Sequence, residues 1–546
     1  MALKTKDREF RLPKVTYLEY KQIEMDRVLT LLFARLAHEG YPTRLMRQNE
    51  ITIDAFVDEF LDTKNQIHLR NFDRYREIVR RWLETHLMDV VNRGKPDQAI
   101  AAPRPLHGKT YLLRNSKQCR DYGASQQIYE MLHGAPKGLG AQALRDLRTF
   151  FFPDVDPATG ESTAEIEIDV ETQALLRLPN KIKSDIADRT GREIFPPLLQ
   201  GAAFLLAEDI VKLFAYRRQV PRTVMVEYLK ILVCFHLALY HLKLLKILPQ
   251  MVQFPNGPFL FDTVEYGDPS VPAEWRIAVL PDIANERGSI AAAIAEKSAE
   301  THFSRIPGYI KAHYAFKKLD EFSNSGFIRG SEGNLPIAQL LELLGESCTK
   351  LRDQFFGQRL ASIVDKGDEE ERPQQFENIL GLDIDDFRKY IECVYSDRAR
   401  IHQGNIVTCL DSLLMKHRPG AMVTQARTRG AKRKFILDTQ LLEVLVQLAV
   451  LKSSANGSFY TEEIRIDDLA HFLRRRYGLY IDQLPDIDGF AGPPSILELK
   501  GLRENMGAFK ERLRDIGFYR DLSDAYVTQN VVPRFLIAPD MQSERA

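Results

Sequence analysis

Residues 221–249 form the most continuous apolar stretch of the chain, with leucine, isoleucine, valine and phenylalanine on nearly every face of a helix. After Arg222 at its start, the charged residues within it are Glu227, Lys230, Lys243 and Lys246. A membrane span needs about 20 residues almost free of charge, so the pattern predicts a buried central helix. His236 and His241 lie five positions apart, which is not the i, i+4 spacing of two metal ligands on one helical face. We therefore expect both histidines in the core or at its boundary.

Amphipathic patterns on both sides of this helix predict a mainly α-helical protein. A chain of 546 residues is too long for one core, so several domains are expected. The charged stretch 365–373, which ends at a proline, is the best linker candidate. The predicted domains are a helical region with a basic surface at 1–150, a helical middle domain at 151–253, a small sheet with helices at 254–364, a helical connector at 374–424 and a winged-helix-like unit at 425–546.

The segment 255–282 interrupts the helical pattern and predicts the small β element of the fold. Residues 259–261 and 275–280 have the composition of strands, and a Gly-Asp-Pro turn lies between them. Asp262 and Asp282 lie at or beyond the ends of these strands. Carboxylates in that position can act as a catalytic pair or simply end a small sheet. Because no third catalytic partner is evident, we prefer the second interpretation.

Residues 425–535 contain three helical patterns and a β-like tail, in the order of a winged helix. Asp438 can cap the first helix, Gly478 can end the second, and Pro494 suits the first turn of the third. The tail 526–535 can form the wing. The apolar residues that we expect the third helix to bury are Ile496, Leu499, Leu502, Met506, Phe509, Leu513 and Ile516.

A basic run opens this C-terminal unit and carries its strongest nucleic-acid signal. It places five cations within eight residues and contains no acidic residue: Arg427, Arg429, Lys432, Arg433 and Lys434. Because the net charge of the chain is zero, any nucleic-acid surface must be a local patch. The third helix adds Lys500, Arg503 and Lys510, but neighbouring carboxylates make it a weaker candidate for reading bases. We expect phosphate contacts to double-stranded DNA that depend strongly on salt and weakly on sequence.

One pattern favours a nuclease instead. Asp486 after a proline, followed by Glu498 and Lys500, matches the PD-(D/E)xK motif, in which two carboxylates hold a divalent metal and the lysine positions or activates water. That chemistry needs Glu-x-Lys on a strand beside the aspartate. Here the apolar spacing of 496–516 is helical, and residues two apart on a helix point about 200° away from each other. We therefore expect no catalytic residue and keep these three as the alternative.

Other compositional features exclude further classes of chemistry. The five cysteines are far apart and form no CxxC pair, which argues against a zinc ribbon or a disulfide framework and suits the reducing cytoplasm. Asp154, Asp156 and Glu165 follow part of a calcium-loop pattern, but positions five and six of that loop do not match. There is no Walker A motif, so any ATP-driven step is expected in another protein. We expect no cofactor, no bound metal and no membrane segment.

Three stretches look like parts of a known family: LRTFFFPDVDPATG at 147–160, PRTVMVEYLK at 221–230 and LRENMGAFKERLRDIGFYRDLSD at 502–524. Together they resemble the family that forms the seventh component of bacterial methylation-associated defence systems. Those systems are anti-phage loci that pair a DNA methyltransferase with ATPase and effector subunits. The resemblance implies a bacterial cytoplasmic protein that works beside DNA-modifying partners. It brings no catalytic residues.

The combined expectation is a non-enzymatic subunit that binds double-stranded DNA, acts as a scaffold, or does both. The resemblance implies that other defence subunits, such as the methyltransferase or the ATPase, are its partners. The alternative is a metal-dependent nuclease effector of the same kind of system. A scaffold without any DNA contact is the third hypothesis.

Overall fold

Helices dominate the structure, a computed structural model that describes residues 3, 5–45, 52–61, 72–153, 171, 172, 175, 185–187, 194–257, 259, 261–328, 334–364, 374–520 and 529–539. The α-helices in these ranges are Met25–Ala37 (α1), Ile53–Leu61 (α2), Arg76–Trp82 (α3), Ala124–His133 (α4), Leu139–Phe151 (α5), Gln200–Ala215 (α6), Arg222–Gln253 (α7), Ile290–Phe303 (α8), Ile306–Ser323 (α9), Ile337–Glu342 (α10), Thr349–Val364 (α11), Gln374–Leu380 (α12), Asp386–Leu414 (α13), Thr439–Val450 (α14), Ile466–Tyr477 (α15) and Ile496–Asp515 (α16). The prediction of a mainly α-helical protein is confirmed.

The strands are short and form small antiparallel sheets. They are Thr43–Leu45 (β1), Met88–Val91 (β2), Ala99–Pro103 (β3), Asp185–Ala187 (β4), Val423–Gln425 (β5), Arg433–Phe435 (β6), Leu451–Ser453 (β7), Phe459–Thr461 (β8), Ile464–Arg465 (β9), Tyr519–Arg520 (β10) and Asn530–Val531 (β11). β1 pairs with β4, β2 with β3, β5 with β6 and β7 with β8, while β10, β11 and β9 form a three-stranded sheet in that order.

The long apolar stretch forms α7, which lies at the centre of the fold and packs against α6, α9, α13 and α14. Among the described helices it alone is long and apolar enough to cross a membrane, and its most apolar window is fully buried inside the protein. Two of its three buried lysines have anionic partners. Lys230 Nζ lies 2.5 Å from Asp26 Oδ1, and Lys246 Nζ lies 2.8 Å from Asp488 Oδ1. These partners offset the cost of removing the charges from water.

A polar cluster inside this core joins α6, α7 and α15. Asp209 Oδ2 accepts a hydrogen bond from the Tyr477 hydroxyl at 2.7 Å and lies 3.0 Å from His236 Nε2. The Arg476 guanidinium pairs with Asp209 Oδ1 and, at 2.7 Å, with Glu208. Burial alone would raise the pKa of Asp209, but the charge of Arg476 and the contact with His236 hold that pKa well below its usual range. Asp209 is therefore ionised in the core.

The buried apolar side chains form one main cluster, whose members run from Leu3 to Val531. A small second cluster lies between α8 and the loop after α15 and includes Leu280, Ile294 and Phe490. The domain boundaries predicted from the sequence stay predictions. The linker candidate 365–373 and the calcium-loop candidates Asp154, Asp156 and Glu165 lie outside the described residues.

The strands predicted within 255–282 are wrong for the described part of that segment. Only one isolated bridge forms there, between Val279 and Leu479. The backbone is extended, but its partners come one at a time from separate segments: Ile277 N donates to Tyr266 O at 3.0 Å, and Asp282 N donates to Phe435 O at 2.9 Å. A strand needs a continuous neighbouring strand, and here none runs alongside.

The C-terminal unit has its three helices in the predicted order. The Asp438 side chain accepts a hydrogen bond from Gln440 N at 3.1 Å and caps α14, and Gly478 ends α15 in the left-handed region with φ of 70°. β11 lies within the predicted wing, of which residues 526–528 are outside the described residues. The main helical neighbour of α16 is α8, a helix from the middle of the chain.

The first turn of α16 departs from the predicted buried stripe. Ile496 and Leu499 are 86% and 43% exposed, whereas Leu502, Phe509 and Leu513 are buried as predicted. The closest approach of α16 to α8 lies one turn further along, where a Cβ at Gly501 would lie 2.7 Å from the side chain of Ile290. The apolar period of α16 therefore continues into a first turn whose side chains stay exposed.

We expect Asp209→Asn to lower the free energy of unfolding at pH 7 by about 3–5 kcal/mol, because it leaves the buried Arg476 without its charge partner. The folded pKa of Asp209 is depressed, so its contribution is fully present above its unfolded pKa of about 3.9 and is lost as the pH falls towards the folded value. Urea unfolding of both proteins between pH 7 and pH 3 would measure this. A difference that stays constant below pH 4 would contradict the ionised assignment.

Candidate nucleic-acid interface

The basic run folds into a β-hairpin. β5 and β6 pair with Thr424 opposite Lys434, and the loop between them carries the remaining residues of the run. Gln425 Nε2 donates to Ala431 O at 2.8 Å and closes the base of this loop. Gly430 has a φ of 78°, which a glycine adopts without the steric cost of a side chain. The run is therefore an ordered turn on the protein surface.

Lys434 anchors this hairpin from below. Its Nζ lies 2.6 Å from Asp282 Oδ2, and Asp282 is fully buried. The other carboxylate oxygen of Asp282 accepts a hydrogen bond from Asn285 N at 3.0 Å. Since Asp282 N also donates to Phe435 O at 2.9 Å, one aspartate joins the hairpin to the segment that leads into α8. Lys434 is therefore a structural cation.

Arg433 is also committed to the protein. Its guanidinium contacts the Asp411 carboxylate on α13 through two hydrogen bonds of 3.2 Å and 2.7 Å. The same guanidinium lies 5.1 Å from the centre of the Phe303 ring at the end of α8. A fork-shaped pair of this kind fixes both position and orientation. Arg433 therefore ties the hairpin to two helices.

Arg427, Arg429 and Lys432 form the exposed part of the run. The two arginines make no ion pair with any residue that the structure describes. Lys432 Nζ lies 3.2 Å from Glu300 Oε2, but both side chains are more than 60% exposed. Such surface pairs contribute about 0–1 kcal/mol and are screened by salt. All three cations are therefore available to an external anion.

An open cleft of about 830 Å³ lies beside the hairpin loop. Its walls are the hairpin, Lys416 just after α13, and the loop before α8 with the first turns of that helix. Its cations are Arg287, Lys416, Arg427, Lys432 and Lys434. Glu296 is the single carboxylate among the described residues that line it. The cleft therefore presents an excess of positive charge beside the three exposed cations of the loop.

The third-helix candidates lie on α16, away from these lining residues. Lys500 Nζ lies 3.7 Å from Glu504 in an exposed pair one turn apart. Arg503 is exposed and Lys510 is half-buried. Carboxylates interleave with these cations, so α16 presents mixed charge. The structure places these three residues on one helix and the basic run on a separate hairpin.

Three consecutive arginines at the end of α15 all pair with protein carboxylates. Arg474 contacts Asp482 at 2.8 Å, and Arg475 contacts Glu265 at 2.5 Å. Arg476 belongs to the buried cluster around Asp209. These pairs give the arginine triplet a structural explanation within the chain itself.

The three residues of the nuclease motif, Asp486, Glu498 and Lys500, each contact a separate partner in the chain. Asp486 forms a two-point pair with Arg276 at 2.8 Å and 2.9 Å, and this hydrogen bonding lowers the pKa of the Asp486 carboxyl. Glu498 belongs to the capping box of α16, where its side chain accepts a hydrogen bond from Ser495 N at 2.8 Å. Glu498 and Lys500 lie two residues apart on a helix, as their apolar spacing predicted. Each group thus has a local partner in place of a shared metal site.

The second acidic pair is divided between surface and core. Asp262 is exposed, whereas Asp282 is buried against Lys434.

The two histidines of α7 both have partners in the core. His236 contacts Asp209, and His241 Nδ1 lies 2.7 Å from Leu237 O. Burial lowers the pKa of His241 to about 4, so that ring is neutral at pH 7. Within the described ranges, no group of three or more His, Cys, Asp or Glu side chains is arranged to hold a metal ion.

Sequence reasoning missed Arg287 and Lys416. Each is an isolated exposed cation in a polar loop, so neither belongs to a run that a sequence pattern could detect. The fold alone brings them to the cleft. One signal was available for Arg287, because Ser289 is a typical helix N-cap and does accept a hydrogen bond from Ala292 N at 3.0 Å. That signal would have placed Arg287 just before the start of a helix.

Comparison with known proteins identifies one family. The sequence model of the family described as "Methylation-associated defense system protein MAD7" matches residues 5–535. No curated protein and no solved structure matches the chain.

We expect Lys434→Ala to lower the free energy of unfolding by about 3–5 kcal/mol, because it leaves the buried Asp282 carboxylate without its charge partner. Lys432→Ala is the matched control, since it removes a neighbouring cation from an exposed pair and should change stability by less than about 0.5 kcal/mol. Urea denaturation of both variants measures the difference. Equal stabilities would show that the Lys434–Asp282 pair does not anchor the hairpin.

Proposed function

This chain belongs to the MAD7 family of methylation-associated defence system proteins, and we propose that it is the DNA-contacting and scaffolding subunit of such an anti-phage system. It binds the phosphate backbone of double-stranded DNA through the exposed loop of the β5–β6 hairpin. Its helical body holds other subunits of the system, for which the methyltransferase or the ATPase are the candidates. It works in the cytoplasm, where the DNA and these partners are found.

The observation that carries the DNA proposal is the division of the basic run. Lys434 and Arg433 are bonded to Asp282 and Asp411 and hold the hairpin in place. The remaining cations of the run point to solvent from an ordered loop. Because these side chains lie on an ordered turn, binding to phosphates costs less conformational entropy than binding by a disordered tail would. The structural pairs therefore support the exposed cations as a preorganised phosphate contact.

The loop suits phosphate contact better than base reading. Arginine and lysine bind phosphate oxygens without sequence information, and base reading requires an element inserted in a groove. The α16 helix, the candidate for that role in a winged helix, is flanked by carboxylates and packed on α8. The proposal is therefore binding that is weakly specific for sequence and strongly dependent on salt.

The scaffolding part rests on an exposed apolar patch at the start of α16. Ile496, Leu497 and Leu499 are 86%, 65% and 43% exposed. Clustered exposed apolar side chains favour contact with another protein surface. This patch, which contains no residue of the hairpin loop, supports a subunit contact. No catalytic step is proposed, since the nuclease motif residues are engaged in local pairs.

We expect the triple substitution Arg427→Ala, Arg429→Ala and Lys432→Ala to weaken duplex binding and flatten its salt dependence. The slope of log K against log salt should fall in magnitude by about 2 to 3, because each lost phosphate contact contributes about 0.9. Fluorescence anisotropy with a labelled duplex between 50 and about 300 mM salt measures the slope. The fold should be unaffected, since none of the three residues anchors the hairpin.

The matched control is a second triple substitution that removes the same charge elsewhere: Lys95→Ala, Lys350→Ala and Arg400→Ala. These residues are exposed cations on other parts of the chain. The control should keep the original slope. The proposal fails if both triple variants have the same slope, or if the unmodified protein does not bind duplex DNA at all.

A further inference from the structure

The cleft beside the hairpin carries a second inference. Its cations come from three separate parts of the fold: Arg427 and Lys432 from the hairpin loop, Lys416 from the exit of α13, and Arg287 from the loop before α8. We propose that this cleft binds the clustered phosphates of a small ligand, with a nucleoside di- or triphosphate as the chemical class. The proposal shares Arg427 and Lys432 with the proposed DNA contact, but it can be tested separately because Arg287 and Lys416 lie outside the basic run and Arg429 does not line the cleft.

The excess of positive side chains in the cleft favours an anion that carries several negative charges. Arg287, Lys416 and Arg427 are exposed and make no ion pair with any residue in the described ranges. Glu296, on the second turn of α8, is the single carboxylate in the described lining. Like charges brought together without partners repel one another. A ligand with several adjacent negative charges would relieve that repulsion, which a monoanion does only in part.

The position of α8 adds to this preference. Arg287 and Gly288 precede the N-cap Ser289, and Ala292 and Glu296 line the cleft from the first turns of the helix. The N-terminal end of a helix carries a partial positive charge and favours phosphate groups within about one turn. The N-terminus of α8 therefore attracts anions as the side-chain cations do. The phosphates would lie at the wall of the cleft that the start of α8 forms.

The volume of the cleft fits a small ligand, and its lining lacks the features of a pocket that recognises a base. About 830 Å³ lies within the usual range of small-molecule sites, roughly 300–1,000 Å³. The described lining carries five cations and contains no aromatic ring on which a base could stack. Recognition would therefore come from the phosphates and only weakly from the base. Nucleotides with different bases, and inorganic tripolyphosphate, should bind with similar affinity.

The cations also predict how magnesium affects binding. In many nucleotide sites Mg²⁺ neutralises the phosphates and is held by protein carboxylates or hydroxyls. Here arginine and lysine would supply the neutralising charge. Binding should therefore not require Mg²⁺, and an excess of Mg²⁺ over ligand should weaken it by competing for the phosphates.

The test is calorimetric titration of the full chain with three probes: inorganic tripolyphosphate, ATP and GTP. We expect all three to bind. Arg287→Ala with Lys416→Ala should weaken tripolyphosphate binding by about tenfold or more, since each lost contact is a hydrogen bond to a charged group. Arg429→Ala should leave it within about twofold, because Arg429 does not line the cleft. Lys95→Ala with Lys350→Ala is the charge-matched control and should also leave it unchanged.

Binding of duplex DNA to the same variants is measured in parallel. Arg429→Ala should weaken DNA binding and leave tripolyphosphate binding intact, so failure of one proposal is visible without failure of the other. The cleft proposal is overturned if none of the three probes binds, or if the Arg287 and Lys416 substitutions and the charge-matched control have equal effects. It is also overturned if those two substitutions reduce DNA binding while tripolyphosphate does not bind, since the cleft would then belong to the DNA surface.

Discussion

The fold depends on one constraint, the burial of α7 on all its faces between Tyr228 and Leu248. A helix surrounded by protein has no water to solvate its charged side chains, so each needs a partner from a neighbouring element. Lys230 finds Asp26 on α1, His236 finds Asp209 on α6, and Lys246 finds Asp488 in the loop after α15. These partners come from opposite ends of the chain. The polar groups of the central helix thereby determine which segments can surround it.

Lys243 shows how a buried lysine of this helix behaves when its neighbour is an aromatic ring and not a carboxylate. Burial and the charge of Lys246 lower the pKa of Lys243 to about 7, and its Nζ lies 5.3 Å from the centre of the Tyr266 ring. The aromatic face offers a weaker partner than a carboxylate. Burial alone would lower the pKa of Lys230, but the charges of Asp26 and Glu227 raise that pKa above its usual value. The contrast with Lys243 indicates that two carboxylate partners keep Lys230 charged.

The same constraint divides the basic run into two functional parts. The cations that reach the interior, Lys434 and Arg433, are neutralised by Asp282 and Asp411 and become part of the framework. The cations that stay outside keep their charge available. A run of like charges is thus converted into a rigid hairpin with an exposed basic loop, and the fold adds Arg287 and Lys416 from distant segments to the adjoining cleft. Charge pairing in the interior and the proposed anion binding at the surface are linked through this one hairpin.

Local patterns in the sequence predicted the helices well, since helical periodicity, the Asp438 cap and the Gly478 terminus are encoded within a few residues. The failures concern partners that are distant in sequence. The segment 275–280 has strand composition, yet no neighbouring strand runs alongside it. Ile496 and Leu499 follow the apolar period of α16, but they are 86% and 43% exposed because the period alone supplies no neighbour to cover them. The cleft could not be predicted for the same reason, because only the packing of three separate segments creates it.

We propose that the hairpin loop, and not the third helix of the C-terminal unit, meets the DNA. Hydrogen–deuterium exchange of the full chain, with and without a duplex, distinguishes the two because it reports on each segment of the backbone. We expect slower exchange in residues 426–432 on DNA binding and unchanged exchange in α16. Protection confined to α16, with none in the loop, would contradict it.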